Sequence, residues 1–128
     1  MRAFIYLFTI YALGCSLIHR THAQTNLELA EYYFNEGSFE QAKLYFEEIY
    51  KKNKTNVVYQ MYYKSLIGLE DFKSAESLVK TKIRRTHKNN KSNVYVDLGS
   101  LYLTFDMNED ARDAFDQALE LMQPGRNQ

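Results

Sequence analysis

LAEYYFNEGSFEQAKLYFEEIY, residues 29–50, decides the fold of this chain. Within it a small residue, Ala30, is followed by an aromatic at Tyr33, a turn residue at Gly37, an alanine at Ala42 and a second aromatic at Phe46. The order returns at Gly99, Tyr102, Asp106, Ala111 and Phe115, and more loosely at Tyr63, Leu66, Glu70, Ala75 and Val79. The alanines at 42, 75 and 111 are therefore 33 and 36 residues apart. That is close to the period of about 34 residues at which paired helices stack into arrays. A repeat of this kind assigns an architecture, and the architecture implies binding rather than catalysis.

Local signals divide each copy into two helices. Thr25 and Glu28 stand at capping-box spacing and predict a helix start. Leu27, Ala30, Tyr33 and Phe34 then form a buried stripe that Glu36 and Gly37 end. Ser38 and Gln41 repeat the capping-box spacing, and Phe39, Ala42, Tyr45, Phe46, Ile49 and Tyr50 make the apolar side of a second helix that fades over 52–55. So short a connection forces an antiparallel pair, and Ala30 and Ala42 let the two backbones approach. In the second copy Val58, Tyr59, Tyr62, Tyr63, Leu66 and Ile67 precede a turn at 68–71 with Asp71 as the cap, and Phe72, Ala75, Leu78, Val79 and Ile83 follow. The third runs from Ser92 through a turn at 106–108 to Met122, with Pro124 and Gly125 as the stop and a spacer lengthened around 89–91.

On these residues the chain resembles tetratricopeptide-repeat proteins. LAEYYFNEGSFEQAKLYFEEIY is the best copy and LGSLYLTFDMNEDARDAFDQAL, residues 98–119, keeps nearly all of the pattern. The middle copy departs from it, with Tyr63 where a small residue is usual and Val79 where an aromatic is usual. The resemblance implies an all-α, right-handed superhelical array of three antiparallel helix-turn-helix hairpins at about 24–55, 56–89 and 92–125, followed by a tail at 126–128. It further implies a concave groove lined by the first helix of each hairpin, where peptides or partner helices dock. By phase, Glu31, Asn35, Gln60, Lys64, Ile67, Asp97, Ser100 and Leu103 fall in that groove. Some members hold a chaperone's terminal carboxylate with lysine and asparagine; Glu31 stands where an asparagine would help, so that role is not expected here.

Residues 1–23 are read apart from the repeats. Met1 and Arg2 lead into the uncharged apolar run AFIYLFTIYALGCSLI, followed by a polar segment ending at Ala23. A basic start, an apolar stretch short of the ~20 residues a span needs and a small residue at the end form a secretory signal peptide. Cleavage is expected after Ala23, with an extracytoplasmic, bacterial setting. Two alternatives are an uncleaved anchor and lipidation at Cys15, whose context Ala12-Leu13-Gly14-Cys15 is similar to a bacterial lipobox and would tether an envelope module. Cys15 is the only cysteine, so no disulfide is expected to staple the remaining chain.

The composition bounds the chemistry. The chain has 16 basic and 16 acidic side chains, one proline and no tryptophan. A balanced charge gives no net field to recommend nucleic acid or an anionic membrane. After residue 23 there is one histidine, His87, no cysteine and no glycine-rich phosphate loop. A zinc site of usual type or a nucleophilic triad is not assembled from that set, so neither an enzyme nor a cofactor is expected. Lys80, Lys82, Arg84, Arg85, His87, Lys88 and Lys91 form a basic run. Cations at a helix end offset its macrodipole, and anion or nucleic-acid binding is the alternative reading. Asn53-Lys54-Thr55 and Asn90-Lys91-Ser92 match the glycosylation triplet, but in a bacterial setting no glycan is expected. Most aromatics read as core, with Tyr32, Tyr50, Tyr59 and Tyr62 left open as contact residues. Phe115, Leu119 and Met122 lie along the last helix with no solvating helix after them, an open side expected to take a partner helix or a second copy, or to continue into a longer array.

Overall fold

The computed structural model describes residues 25–123. The expected signal at 1–23, with Cys15, and the expected stop at Pro124 and Gly125 and tail at 126–128 lie outside the described residues. Six α-helices follow one another: α1 over 25–35, α2 Phe39–Lys52, α3 Asn56–Gly68, α4 Phe72–Arg85, α5 Lys91–Thr104 and α6 Asn108–Met122. A single 3₁₀ turn, Lys88–Asn90, precedes α5 and takes up the lengthened spacer. Among the described residues no strand occurs. Thr25 is already helical, so the expected helix start also lies outside the described residues.

Of the five connections between these helices, the three that turn α1 into α2, α3 into α4 and α5 into α6 are closed in the same way. Gly37, Glu70 and Asp106 adopt φ of 73°, 55° and 58°. At each one the next amide reaches back to a carbonyl five residues earlier: Ser38 N to Tyr33 O at 2.8 Å, Asp71 N to Leu66 O at 3.0 Å and Met107 N to Tyr102 O at 2.9 Å. These are the bonds of a helix end whose reversal depends on one left-handed residue. Glycine enters that conformation freely, whereas a side chain costs roughly 1–2 kcal/mol there. Glu70 and Asp106 therefore hold strained backbone that Gly37 avoids.

The helix starts are less uniform. Asp71 caps α4, its carboxylate accepting from Ser74 N at 3.1 Å. Ser38 sits at the cap of α2 but makes no side-chain cap bond, so the expected capping box with Gln41 does not form. Backbone geometry takes its place: Ser38 O accepts from Ala42 N at 3.0 Å while its own amide closes the preceding turn. Met107, which has no capping oxygen, stands at the same place before α6.

The chain divides into two compact units, with the boundary between Ser65 and Leu66 inside α3. In the first, Ala30, Ala42 and Phe46 have no exposed surface, and Val58 joins them. Phe34 meets Phe46 edge-on at 6.4 Å, and Tyr33 stacks on Tyr45 at 5.8 Å. Burial of a ring such as Phe46 contributes roughly 1.5–3 kcal/mol. Tyr59 is fully buried, and Tyr63 stacks on it at 6.1 Å. The buried hydroxyl of Ser65 donates to Met61 O at 2.8 Å, one turn back on the same helix.

In the second unit α5 packs against both α4 and α6. Leu98, Leu101 and Tyr102 are its core side, and Ala111, Ala114 and Ala118 are the buried residues of α6. Small side chains on α6 let the helices approach, and Gly99 takes this furthest. A Cβ at Gly99 would stand 2.7–2.8 Å from three carbons of the Phe115 ring. The ring thus lies directly on the backbone of α5. Phe72 meets Phe105 edge-on at 5.1 Å and tilts against Tyr102 at 6.1 Å.

Candidate functional site

Helix α5 is apolar on more than its buried side. Val96 and Leu103 are 37% and 49% exposed, with exposed Ser100 between them. Residues i, i+4 and i+7 lie along one side of a helix. Val96, Ser100 and Leu103 therefore form a continuous strip away from the core side at Leu98, Leu101 and Tyr102. On α6 the corresponding strip is Phe115, Leu119 and Met122. Phe115 is half-buried over Gly99, while Leu119 and Met122 are 56% and 50% exposed. Asp113, Asp116 and Glu120 on the same helix are all exposed.

The groove residues expected from phase have mixed positions. In the first unit Glu31 and Gln60 are half-buried, and Asn35 and Lys64 are exposed. In the second, Ile67 is half-buried at the last turn of α3, while Ser100 and Leu103 share the exposed strip of α5. Asp97 is half-buried and acts electrostatically on Lys82. Val96, absent from the expected set, completes the strip; its place one helical turn before Ser100 is the signal for it. Of the tyrosines left open, Tyr59 is core with no exposed surface, Tyr50 and Tyr62 are half-buried 6.0 Å apart, and Tyr32 is 58% exposed.

Between α4 and α5 lies a small polar network. Glu76 accepts at 2.7 Å from the Tyr102 hydroxyl and at 2.7 Å from Lys80 Nζ. Lys80 first and Tyr102 second hold the Glu76 carboxyl below its usual range. Burial first, then the Glu76 carboxylate, pushes the Tyr102 phenol up. The basic run is accordingly uneven. Lys80 is engaged with Glu76, and partial burial lowers the Lys82 ammonium against the opposing pull of Asp97. Arg84, Arg85, His87 and Lys88 are exposed. Among the described residues no group of histidine, cysteine, aspartate and glutamate side chains is placed to hold a metal ion. No helix of the described residues is long and apolar enough to cross a membrane.

Comparison with known proteins agrees with the repeat pattern. No curated protein and no solved structure matches the chain significantly. The family model of the tetratricopeptide repeat matches residues 23–55 and 92–121, on either side of the copy that carries Tyr63 and Val79. Those two segments contain α1 and α2, all but the first residue of α5 and the last of α6, two of the three left-handed turns and the alanines at 42 and 111. Together with the all-helical fold they support a tetratricopeptide-repeat protein, a class whose repeats serve as modules for binding proteins and peptides.

Proposed function

We propose that the chain is an exported protein-interaction scaffold that takes partner helices or peptides on the exposed strips of α5 and α6. The observation that carries this reading is the exposure of Leu103, Leu119 and Met122 on helices whose opposite sides are already committed to the core. Aliphatic side chains in rows along a helix are suited to a partner helix laying its own apolar side between them. The signal at 1–23, cleaved after Ala23, would deliver the scaffold outside the cytoplasm. Lipidation at Cys15 would instead hold it at the envelope.

The experiment is site-specific photocrosslinking in the producing cell, with the probe at Leu103 and, as a control, at exposed Gln41 of α2. The reading expects one protein captured from Leu103 and not from Gln41. Reconstituted with the purified partner, Leu103→Asp should weaken binding by about tenfold, equivalent to about 1.4 kcal/mol. Equal capture from both positions, or binding indifferent to Leu103→Asp, would refute the use of the α5 strip. Mass spectrometry of the mature N-terminus tests export separately, since a chain still beginning at Met1 removes the cleaved signal.

A further inference from the structure

Two helices of the second unit carry opposite charge. Along α4 there are five basic residues, Lys73, Lys80, Lys82, Arg84 and Arg85, against one acid, Glu76. Along α6 there are five acids, Glu109, Asp110, Asp113, Asp116 and Glu120, against one base, Arg112. The helices are thus +4 and −4, and Lys88 in the following 3₁₀ turn adds to the basic side.

Part of the α4 charge is met within the chain, since Lys80 pairs with Glu76 on its own helix and Asp97 of α5 acts on half-buried Lys82. Arg84, Arg85 and Lys88 at the basic end, and Asp113, Asp116 and Glu120 on α6, are all exposed. The acids run beside an exposed apolar ridge, Leu119 and Met122. A surface with an apolar ridge and one sign of charge, on a unit that also carries the opposite charge elsewhere, is complementary to a second copy of itself.

We propose that a second copy of this chain docks the basic end of its α4 on the acidic, apolar-ridged side of α6, head to tail. The contact joins two different surfaces, so each copy keeps one of each available and the association continues beyond a pair unless the geometry closes. Stacking in which α6 meets the first helix of another copy is electrostatically poorer, because the described part of α1 carries Glu28 and Glu31 and no basic residue. The proposal rests on reading the chain as a protein-interaction scaffold, and of the two strips it uses that of α6 and leaves that of α5 to other partners.

The test is sedimentation velocity on the protein recovered from expressing cells, its N-terminus read by mass spectrometry, across a range of concentration and salt. Self-association is expected at low salt. It should weaken at least about tenfold toward molar salt, where the screening length falls from about 10 Å to about 3 Å. The variant D113K/D116K/E120K and the variant R84E/R85E/K88E should each be monomeric, with helix content preserved by circular dichroism. Mixing them should restore association, since the first retains a basic α4 end and the second an acidic α6. A chain monomeric at every concentration and salt overturns the proposal, as does association that survives either reversal. Association lost in both variants but not restored on mixing overturns the head-to-tail pairing. Binding of a single-stranded oligonucleotide that R84E/R85E/K88E abolishes, in a chain that stays monomeric, assigns the basic end to nucleic acid instead. If photocrosslinking from Leu103 persists in these variants, the scaffold reading stands whatever happens to self-association.

Discussion

Replacing Gly99 by alanine tests the close approach of α6 to the α5 backbone. In an ordinary helix interior the change stabilises by about 1 kcal/mol, because glycine loses more backbone freedom than alanine on folding. Here the added methyl would lie 2.7–2.8 Å from the Phe115 ring. Ordinary contact begins near 3.4 Å, so the ring or the helix must move by about 0.6 Å to admit it. Overpacking of this sort costs typically about 1–3 kcal/mol. The balance is a net loss of about 1 kcal/mol, opposite in sign to the propensity effect alone. Gly99→Ala in a Phe115→Leu background removes the ring from the path and should recover the helix-propensity gain. The double-mutant cycle is then expected to show a coupling of about 1–2 kcal/mol between the two sites. Urea denaturation followed by far-ultraviolet circular dichroism reads these values. Hydrogen exchange of α5 and α6 amides assigns them to the second unit, a needed step because a chain of two units need not unfold in one transition. If Gly99→Ala stabilises the protein with Phe115 in place, the ring does not rest on the α5 backbone.

Glycine at the two strained turns should raise stability by about 0.5–1 kcal/mol each, more for Glu70→Gly than for Asp106→Gly because aspartate tolerates the left-handed region better; denaturation midpoints measure it. Gly37→Ala should lower stability by about 1 kcal/mol through conformation alone, since nothing lies within 4 Å of a Cβ at that position. Tyr102→Phe removes the hydroxyl that Glu76 accepts and should cost about 1.5 kcal/mol, a typical value for a bond to a charged group. The Glu76 carboxyl is lower in the folded chain than its ordinary 4.5, so its contribution is complete above that pH and is lost as pH falls through the folded value; Glu76→Gln should reduce the acid-side slope of a stability–pH curve. Asp71→Ala should cost about 1 kcal/mol for a real cap, and Ser38→Ala much less, a contrast that thermal melts of the two variants will show.

The turns were the most legible part of the chain. Positions 37, 70 and 106 keep the spacing of the alanines at 42, 75 and 111, and all three adopt the left-handed conformation although only one is glycine. Asp71 was readable as a cap because a carboxylate three residues before a free amide has few other uses. Ser38 offered the same signal and formed no such bond, since pattern reports which groups are near and not which backbone torsions bring them together. Burial along α3 was harder to read. Tyr59, Tyr62 and Tyr63 place aromatics around the helix, so periodicity does not single out Tyr59 as the fully buried one. The same loss of phase hid Val96, because α5 is apolar on both its core side and its exposed strip. The Gly99–Phe115 approach needs coordinates: a small residue paired with an aromatic is visible in the repeat, but a ring lying on bare backbone is not.

The stacked tyrosines of the first unit have an optical consequence. Seven of the nine tyrosines in the described residues belong to that unit, among them the stacked pairs Tyr33–Tyr45 and Tyr59–Tyr63, while the second unit has only Tyr95 and Tyr102. With no tryptophan in the chain, near-ultraviolet dichroism reports mostly on the fixed tyrosine rings of one half of the molecule. Far-ultraviolet dichroism, by contrast, weighs the helices of both halves. The two signals recorded on one sample therefore form a built-in pair of reporters that can resolve whether the halves melt together or in turn, with no label added.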